Sequence, residues 1–286
     1  RSVWRREPEQ ILQVGSGWGA LEQKRRRACG QRPLDEPGMP FADSTLGDAQ
    51  QPWQRFLETG RLEQPSSSQA PAAFVSGPQW RRLLDCAELA GDWHGLYLRG
   101  VAASADDDPD AAYRAWRASC AARPNPWALR CLAAADSTQA RDAADPDAAQ
   151  AAWARACERY LQAAAMLPNE WRLIAEAAAT LIAADRSVAA LELIAGTSRR
   201  VREHGRVQLQ QLRAAVAAGD VEIAQSIFES DFQVVDLREG EVSLDELWFD
   251  FVALREAGDS PVTPQIRRRA AEKHPLPARF DFRMHD

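Results

Sequence analysis

The sequence predicts a mainly α-helical fold, in which an array of antiparallel helix pairs follows a β-strand and an extended, loop-rich strap. The motif Asp-Pro-Asp-Ala-Ala-x-x-Ala-Trp-x-x-x-Cys begins at Asp108 and again at Asp145, an offset of 37 residues. The pattern of residues 184–194 recurs at 218–228, an offset of 34 residues. Such recurrences are typical of stacked helix pairs, because each pair must lend an apolar face to its neighbour. Since 34 residues is the tetratricopeptide period, we predict a tetratricopeptide-like array of about three or four units over residues 80–230.

The first residues predict a strand and then a turn. An apolar run at 10–14 precedes Gly15, Gly17 and Gly19, and an apolar run bounded by glycines favours this arrangement. We interpret residues 1–22 as the end of an upstream β-sandwich domain.

Residues 23–79 are rich in Pro, Gly and Ser and are predicted to form a strap over a neighbouring surface. Within the strap, the helical spacing of Trp53 and Phe56 predicts a short helix near residues 50–60.

From Trp80 onward the apolar residues recur at helical spacing, with Leu84 one turn later. Gly91 and Asp92 then predict a break, after which a second helix spans residues 93–105.

The repeated motif predicts a third helix with its own cap. Asp108 and Pro109 are suited to the N-cap and first turn of this helix, which ends near Pro124. We expect Gly100 to let the second and third helices approach closely and Trp116 to fill the groove between them.

The second copy of the motif predicts a longer helix. Matching Pro-Asn-x-Trp segments begin at Pro124 and Pro168, an offset of 44 residues, which is seven more than the offset of the preceding motif. Seven residues are about two helical turns. The helix after Asp145 should therefore be two turns longer than the helix after Asp108.

Residues 231–286 are predicted to cap the array. Residues 232–236 alternate like an extended segment, and the capping-box spacing of Ser243 and Glu246 opens a helix. A short helix is predicted over 264–271. The tail at 275–284 is apolar, and we expect it to pack onto the helices or onto the upstream domain.

Charge and cysteine content narrow the class of protein. The net charge of −6 argues against a general nucleic-acid binder, although residues 1–33 hold eight Lys and Arg against three Glu. A solvated basic face, or one docked on an acidic neighbour, is favoured over a surface that steers anions.

The five scattered cysteines fit a reducing cytoplasm, and Cys120 and Cys157, at equivalent positions, are predicted to be packing residues.

Targeting signals are not evident in the sequence. No apolar run reaches the roughly 18 residues that a membrane span requires, and no signal peptide is recognisable. Because the chain begins at Arg1 in what resembles the middle of a domain, we expect it to be the C-terminal part of a longer protein.

The glycine-rich segment at 15–19 invites comparison with the nucleotide site of class I methyltransferases, since glycines there let the backbone approach the ligand. Such a site also needs a second strand that ends in an acid about 20 residues later, and Asp35 and Glu36 follow no strand. A structural turn is the favoured interpretation. The four histidines are far apart and lack metal-ligand spacing, so we expect no metal and no cofactor.

Three side chains are candidates for ligand binding: Trp18, Gln51 and Trp53. Tryptophan rings beside amides can stack on sugars and bond to them. The same residues could instead anchor the strap, and this is the favoured interpretation.

Short stretches from one end of the chain to the other resemble proteins of the domain-of-unknown-function 5107 family. The matching stretches are Gly-Trp-Gly-Ala-Leu-Glu at 17–22, Met-Pro-Phe at 39–41, Leu-Gly-x-x-Gln-Gln-Pro-Trp at 46–53, Leu-Glu-Thr-Gly at 57–60, Val-Val-Asp-x-Arg-Glu-Gly at 234–240, Leu-Trp-Phe at 247–249 and Phe-Asp-Phe-Arg-Met at 280–284. The resemblance implies an upstream β-sandwich, similar to galactose-mutarotase-like carbohydrate modules, followed by tetratricopeptide-type helices. It transfers no catalytic residue to this chain.

Three hypotheses for function follow. The first is an accessory helical scaffold of a cytoplasmic carbohydrate-binding or carbohydrate-processing protein. Its partners would be the upstream β-sandwich and a carbohydrate, with no nucleic acid and no membrane, and any glycoside-active site would lie upstream. The alternative is an independent protein- or peptide-binding repeat module. The third and weakest is a methyltransferase that uses S-adenosylmethionine.

Overall fold

A computed structural model describes residues 16–32, 41–230, 233–234, 244–258, 260–277 and 280. These residues form fourteen α-helices and no β-strand, so the predicted mainly α fold is confirmed for them. The predicted strand at 10–14 and most of the extended segment at 232–236 lie outside the described residues. The helices are α1 (Ser16–Ala28), α2 (Gln51–Thr59), α3 (Pro78–Cys86), α4 (Trp93–Ala105), α5 (Pro109–Ala122), α6 (Pro126–Asp142), α7 (Pro146–Met166), α8 (Trp171–Ala183), α9 (Ser187–Ala195), α10 (Arg199–Arg202), α11 (Gly205–Ala218), α12 (Val221–Glu229), α13 (Leu244–Ala257) and α14 (Pro264–Lys273).

The chain divides into two compact units, Arg1–Cys131 and Leu132–Asp286, which we call the N-terminal and C-terminal units. The boundary between them falls within α6. The division at 22/23, 79/80 and 230/231 stays a prediction. The strap packs on the helices that follow it, since Leu62 and Val75 share a buried core with α2, α3 and α4.

The turn predicted at the N-terminal glycines is wrong, because Gly17 and Gly19 lie within α1. A Cβ atom on Gly17 would lie 2.8 Å from the carbonyl oxygen of Thr45, and one on Gly19 would overlap the ring of Phe41. These glycines therefore let residues 41–50 pack closely on a helix. A cluster of glycines looks the same in the sequence whether it forms a turn or allows such close packing. The described part of the segment assigned to a β-sandwich is thus helical.

The helical hairpin of α4 and α5 has the predicted bounds and packing. Gly91 adopts a φ of 74°, and the carboxylate of Asp92 then caps α4. The carboxylate of Asp108 caps α5 by accepting a hydrogen bond from the backbone of Ala111. A Cβ atom on Gly100 would collide with the indole of Trp116, so the close approach of the two helices requires glycine there.

The predicted lengthening of the second motif helix is confirmed. Helix α5 has 14 residues and α7 has 21, a difference of two turns. The predicted packing role of Cys157 is also seen, since this thiol is fully buried in α7, whereas Cys120 in α5 is half-buried.

The recurrence at 34 residues corresponds to two helical hairpins, α8–α9 and α11–α12. Helices α9 and α12 have nine residues each, and their matched positions are buried. Both hairpins turn through one residue in the left-handed region, Asp185 with φ of 56° and Gly219 with φ of 74°.

The C-terminal helices and tail complete the C-terminal unit. Helix α14 matches the short helix predicted over 264–271 and extends it by two residues. Leu276 and Phe280 pack on the core formed by α11, α12 and α13, so the described part of the tail packs onto the helices. Ser243, the predicted cap of α13, lies outside the described residues.

A candidate binding groove in the C-terminal unit

A groove with a volume of about 600 Å³ lies on the C-terminal unit between α8, α11 and α13. Its lining is mostly aliphatic, and the side chains come from all three helices and from the segment before α14. The lining residues are Ala179, Ile182, Ala183, Gln210, Arg213, Val216, Ala217, Leu247, Asp250, Leu254 and Val262.

Helical periodicity explains why these side chains converge. On α13 the lining residues Leu247, Asp250 and Leu254 are spaced i, i+3 and i+7, which places them on one face. Helices α8 and α11 present alanines such as Ala183 and Ala217, both exposed. Small side chains on these two walls leave the space that larger residues would fill.

The polar atoms of the groove lie among these apolar side chains. Asp250 forms an ion pair with Arg267, whose guanidinium nitrogen lies 2.7 Å from the carboxylate. Arg213 contributes a second cation from α11. The amide oxygen of Gln210 is buried without a hydrogen-bond partner among the described residues.

The groove lining has few ionisable side chains. Its lining holds one carboxylate, already paired, and contains no Ser, Cys, His or Lys that could act as a nucleophile or base. Across the described residues, no group of three or more His, Cys, Asp or Glu could hold a metal ion. The groove is therefore lined mainly by an apolar surface.

A second cavity, of about 480 Å³, lies beneath the strap in the N-terminal unit and is bordered by His94. The Nε2 atom of His94 accepts a hydrogen bond of 3.1 Å from the backbone N–H of Ala72. Its Nδ1 atom therefore carries the proton and donates to the carbonyl of Glu63 at 2.6 Å. Burial lowers the pKa of His94 to about 4, against a smaller opposing effect of Asp92. His94 is thus a neutral core histidine that holds two points of the strap.

Two tryptophans hold the strap in the same manner. The indole N–H of Trp53 donates to the carbonyl of Ala73, and that of Trp127 donates to the carbonyl of Ser67 at 3.1 Å. The backbone N–H and C=O groups of an irregular segment need hydrogen-bond partners outside helices and sheets. The indoles of Trp53 and Trp127 supply partners for two of the carbonyls.

The structure does not bring the three predicted ligand-binding residues together on one exposed surface. Trp18 lies in α1 and is 38 % exposed, and Gln51 is exposed at the start of α2, where its amide bonds to Asp48. Trp53 is fully buried and packs edge-on against Phe56 and Trp80. Because an enclosed indole offers no face to a sugar, this packing corrects the ligand-binding interpretation of Trp53 and fits the favoured one, in which it anchors the strap.

The described part of the N-terminal basic segment is largely paired. Arg25 is buried and binds Glu22, Arg26 binds the same carboxylate, and Lys24 lies 3.2 Å from Asp43. Of the two favoured interpretations, a solvated face or a docked one, these pairs fit a face docked on acidic neighbours.

Sequence reasoning missed the groove residues, although one signal for them existed. Helix α13 buries Leu244 and Phe251, and Leu247 and Leu254 follow at i+3 and i+10 from Leu244, on the same side of the helix. A stripe of this width predicts an apolar face of α13, and the spacing does not tell which part of that face stays open as a groove.

Comparisons of the chain with models of protein families, with curated proteins and with solved structures found no match. The resemblance to the domain-of-unknown-function 5107 family therefore stays a prediction. Among the described helices, none combines the length and the hydrophobicity needed to cross a membrane.

Proposed function

We propose that this chain is a protein-interaction module of tetratricopeptide type, and that the groove of the C-terminal unit binds an apolar segment of a partner protein. The observation that supports this proposal is the groove itself: aliphatic side chains from three helices, α8, α11 and α13, surround a volume of about 600 Å³. Val262 at its edge is 41 % exposed. Grooves between helices are a recurring site for such segments.

The size of the groove sets the expected strength of binding. Burying one Leu-sized side chain contributes about 1.5–3 kcal/mol, so two anchors contribute about 3–6 kcal/mol. A micromolar complex needs about 8 kcal/mol. We therefore expect contacts outside the apolar lining to contribute the remainder.

A selection of displayed random peptides tests the proposal. We expect wild-type protein to enrich peptides with aliphatic or aromatic anchors, and Ala217→Trp, which fills the groove from an exposed position on α11, to weaken their binding at least tenfold. Ala218→Trp is the matched control, because Ala218 is exposed on the same helix but does not line the groove. Peptides that bind both variants equally, or a selection that enriches none, would contradict the proposal.

A second candidate is the accessory scaffold of a carbohydrate-active protein. Two apolar side chains of the N-terminal unit favour it, because Trp18 is 38 % and Phe74 is 59 % exposed, and such residues can contact a further domain. Glycan-array binding that Trp18→Ala abolishes would support the carbohydrate part of this proposal, and a silent array would count against it.

A further inference from the structure

The strap presents one aromatic side chain to solvent. Phe74 is 59 % exposed, the largest exposed fraction among the aromatic side chains of the described residues. Aromatic rings bury a large apolar area when a partner covers them and dominate the energetics of many interfaces. Phe74 is therefore a candidate contact residue on the N-terminal unit.

The backbone on both sides of Phe74 is held in place. The N–H of Ala72 and the carbonyl of Ala73 each form a hydrogen bond with a buried side chain. Val75, on the other side, packs in the core of this unit. Because the segment is already ordered, Phe74 loses little conformational entropy when it binds, which favours association.

The strap around Phe74 is uncharged. From Gln64 to Trp80 the sequence contains no Asp, Glu, Lys, Arg or His, and the neighbours Ala73 and Ser76 are small and exposed. A charge that such a segment covers loses its hydration and gains no counter-charge in return. A surface that accepts Phe74 should therefore be apolar and should hold no charge that lacks a partner.

The groove of the C-terminal unit has both properties. Its mainly aliphatic lining surrounds about 600 Å³, more than one phenyl ring occupies. Asp250 in this lining is paired with Arg267, and Arg213 has an interaction partner as well. An uncharged segment can thus cover these groups at a lower cost than it could cover unpaired charges.

We infer that the partner of the groove is a second copy of this chain, which inserts Phe74 into the aliphatic lining. This inference rests on the proposed function, because it names the occupant of the same groove. An exposed apolar residue that fits an apolar pocket elsewhere on the same molecule produces a head-to-tail contact between copies. With a single aromatic anchor, we expect a dissociation constant of roughly 0.1–1 mM.

Sedimentation equilibrium of the full chain tests the inference. We expect the average mass of the wild type to rise as its concentration passes through the expected dissociation constant. Phe74→Ser, which removes the ring, and Ala217→Trp, which fills the groove, should each weaken the association at least tenfold. Val188→Ser and Ala218→Trp are the matched controls, because they change exposed residues outside the groove and the strap, and they should leave the association unchanged.

A mixture of the two interface variants separates this contact from any other. Phe74→Ser keeps an intact groove and Ala217→Trp keeps an intact Phe74, so an equal mixture should associate again. The association should stop at the dimer, because that dimer has neither a free Phe74 nor an open groove left. Restored association also shows that each variant is folded at the site that it retains.

Three results would overturn the inference: a wild type that stays monomeric, interface variants that associate like the wild type, or a mixture that stays monomeric. The proposed function would then stand if the peptide selection still recovers segments whose binding Ala217→Trp weakens. A monomeric wild type together with a selection that recovers no such peptide would overturn both.

Discussion

His94 shows how a single side chain can determine the course of an irregular segment. Both ring nitrogens bond to the backbone of the strap, at Glu63 and Ala72, and the ring is only 1 % exposed. The bond from Ala72 needs an unprotonated Nε2. The strap is therefore held by the neutral form of His94 and not by the cation.

The stability of the N-terminal unit should fall in mild acid because of His94. Its pKa of about 4 in the folded protein is below the ordinary value of 6.5, so the unfolded chain takes up the proton first. The stabilisation is complete above about pH 6.5 and is lost as the pH falls toward 4. Between pH 7 and pH 4.5 this amounts to about 2–3 kcal/mol in the free energy of unfolding, which urea titrations at the two pH values would measure.

His94→Gln is the control for this pH dependence. The glutamine does not titrate, so this variant should be less stable than wild type at pH 7 but should lose less stability on acidification. An equal loss in both proteins would show that carboxylates, and not His94, govern the acid response.

At the scale of elements, the two helices that carry the repeated motif contact their preceding helices in different ways. Gly100 of α4 lies against the ring of Trp116 of α5, with no room for a Cβ atom. The next pair of helices is joined differently: Asp136 of α6, fully buried, binds Arg155 and Arg159, which are one turn apart on α7. The recurring sequence motif thus tolerates two kinds of contact with the preceding helix.

Gly100→Ala tests the close approach of α4 and α5. In an exposed helix interior this change would stabilise the protein by about 0.5–1 kcal/mol. Here we expect a destabilisation of about 1–3 kcal/mol, because the added methyl group must displace the indole of Trp116. Chemical denaturation would measure the difference.

Ser104→Ala, at an exposed site in the same helix, serves as the control and should be nearly neutral. A Gly100→Ala protein that is more stable than wild type would show that the two helices are not in the described contact.

At the scale of the whole molecule, the C-terminal unit depends on contacts between residues far apart in the chain. The ring of Phe280 lies 5.3 Å from that of Phe228 and 6.3 Å from that of Trp248. The end of the described chain therefore completes a core that begins on α11.

Phe280→Ala should destabilise the C-terminal unit by about 3–5 kcal/mol, because it removes a buried aromatic ring and leaves a cavity. Thermal unfolding followed by circular dichroism would detect the loss. The control is Val188→Ala, since Val188 is an apolar residue that is largely exposed on α9, and this change should lie within about 0.5 kcal/mol of wild type. Equal stability of both variants would mean that the tail does not belong to the core.

Much of the helical framework could be predicted from local signals. Asp108 beside Pro109 predicts a helix start from local interactions alone. The carboxylate of Asp108 caps a backbone N–H of the first turn, and the ring of Pro109 fixes its own φ at a helical value. The offset of 44 residues between Pro124 and Pro168 predicted the two extra turns of α7. The glycines of α1 misled the prediction, since the residues that pack on them are some 20 to 30 positions away.

The candidate site could be predicted much less well. Leu247 and Leu254 carry a weak signal in their spacing, but nothing local pairs them with Ala183 or Ala217 on other helices. The burial of Trp53 and the two bonds of His94 likewise depend on partners elsewhere in the chain. Local patterns indicate which face of a helix is apolar and not which neighbour covers it.

The sequence by itself determined the helical class, the repeat offsets, the capped helix starts and the longer α7, because these depend on interactions between residues within a few turns of one another. Only the tertiary structure decided that α1 replaces a turn, that the strap is held by Trp53, His94 and Trp127, and that three helices leave an apolar groove open. Each of these depends on which distant surfaces meet, and therefore on the packing of the whole unit.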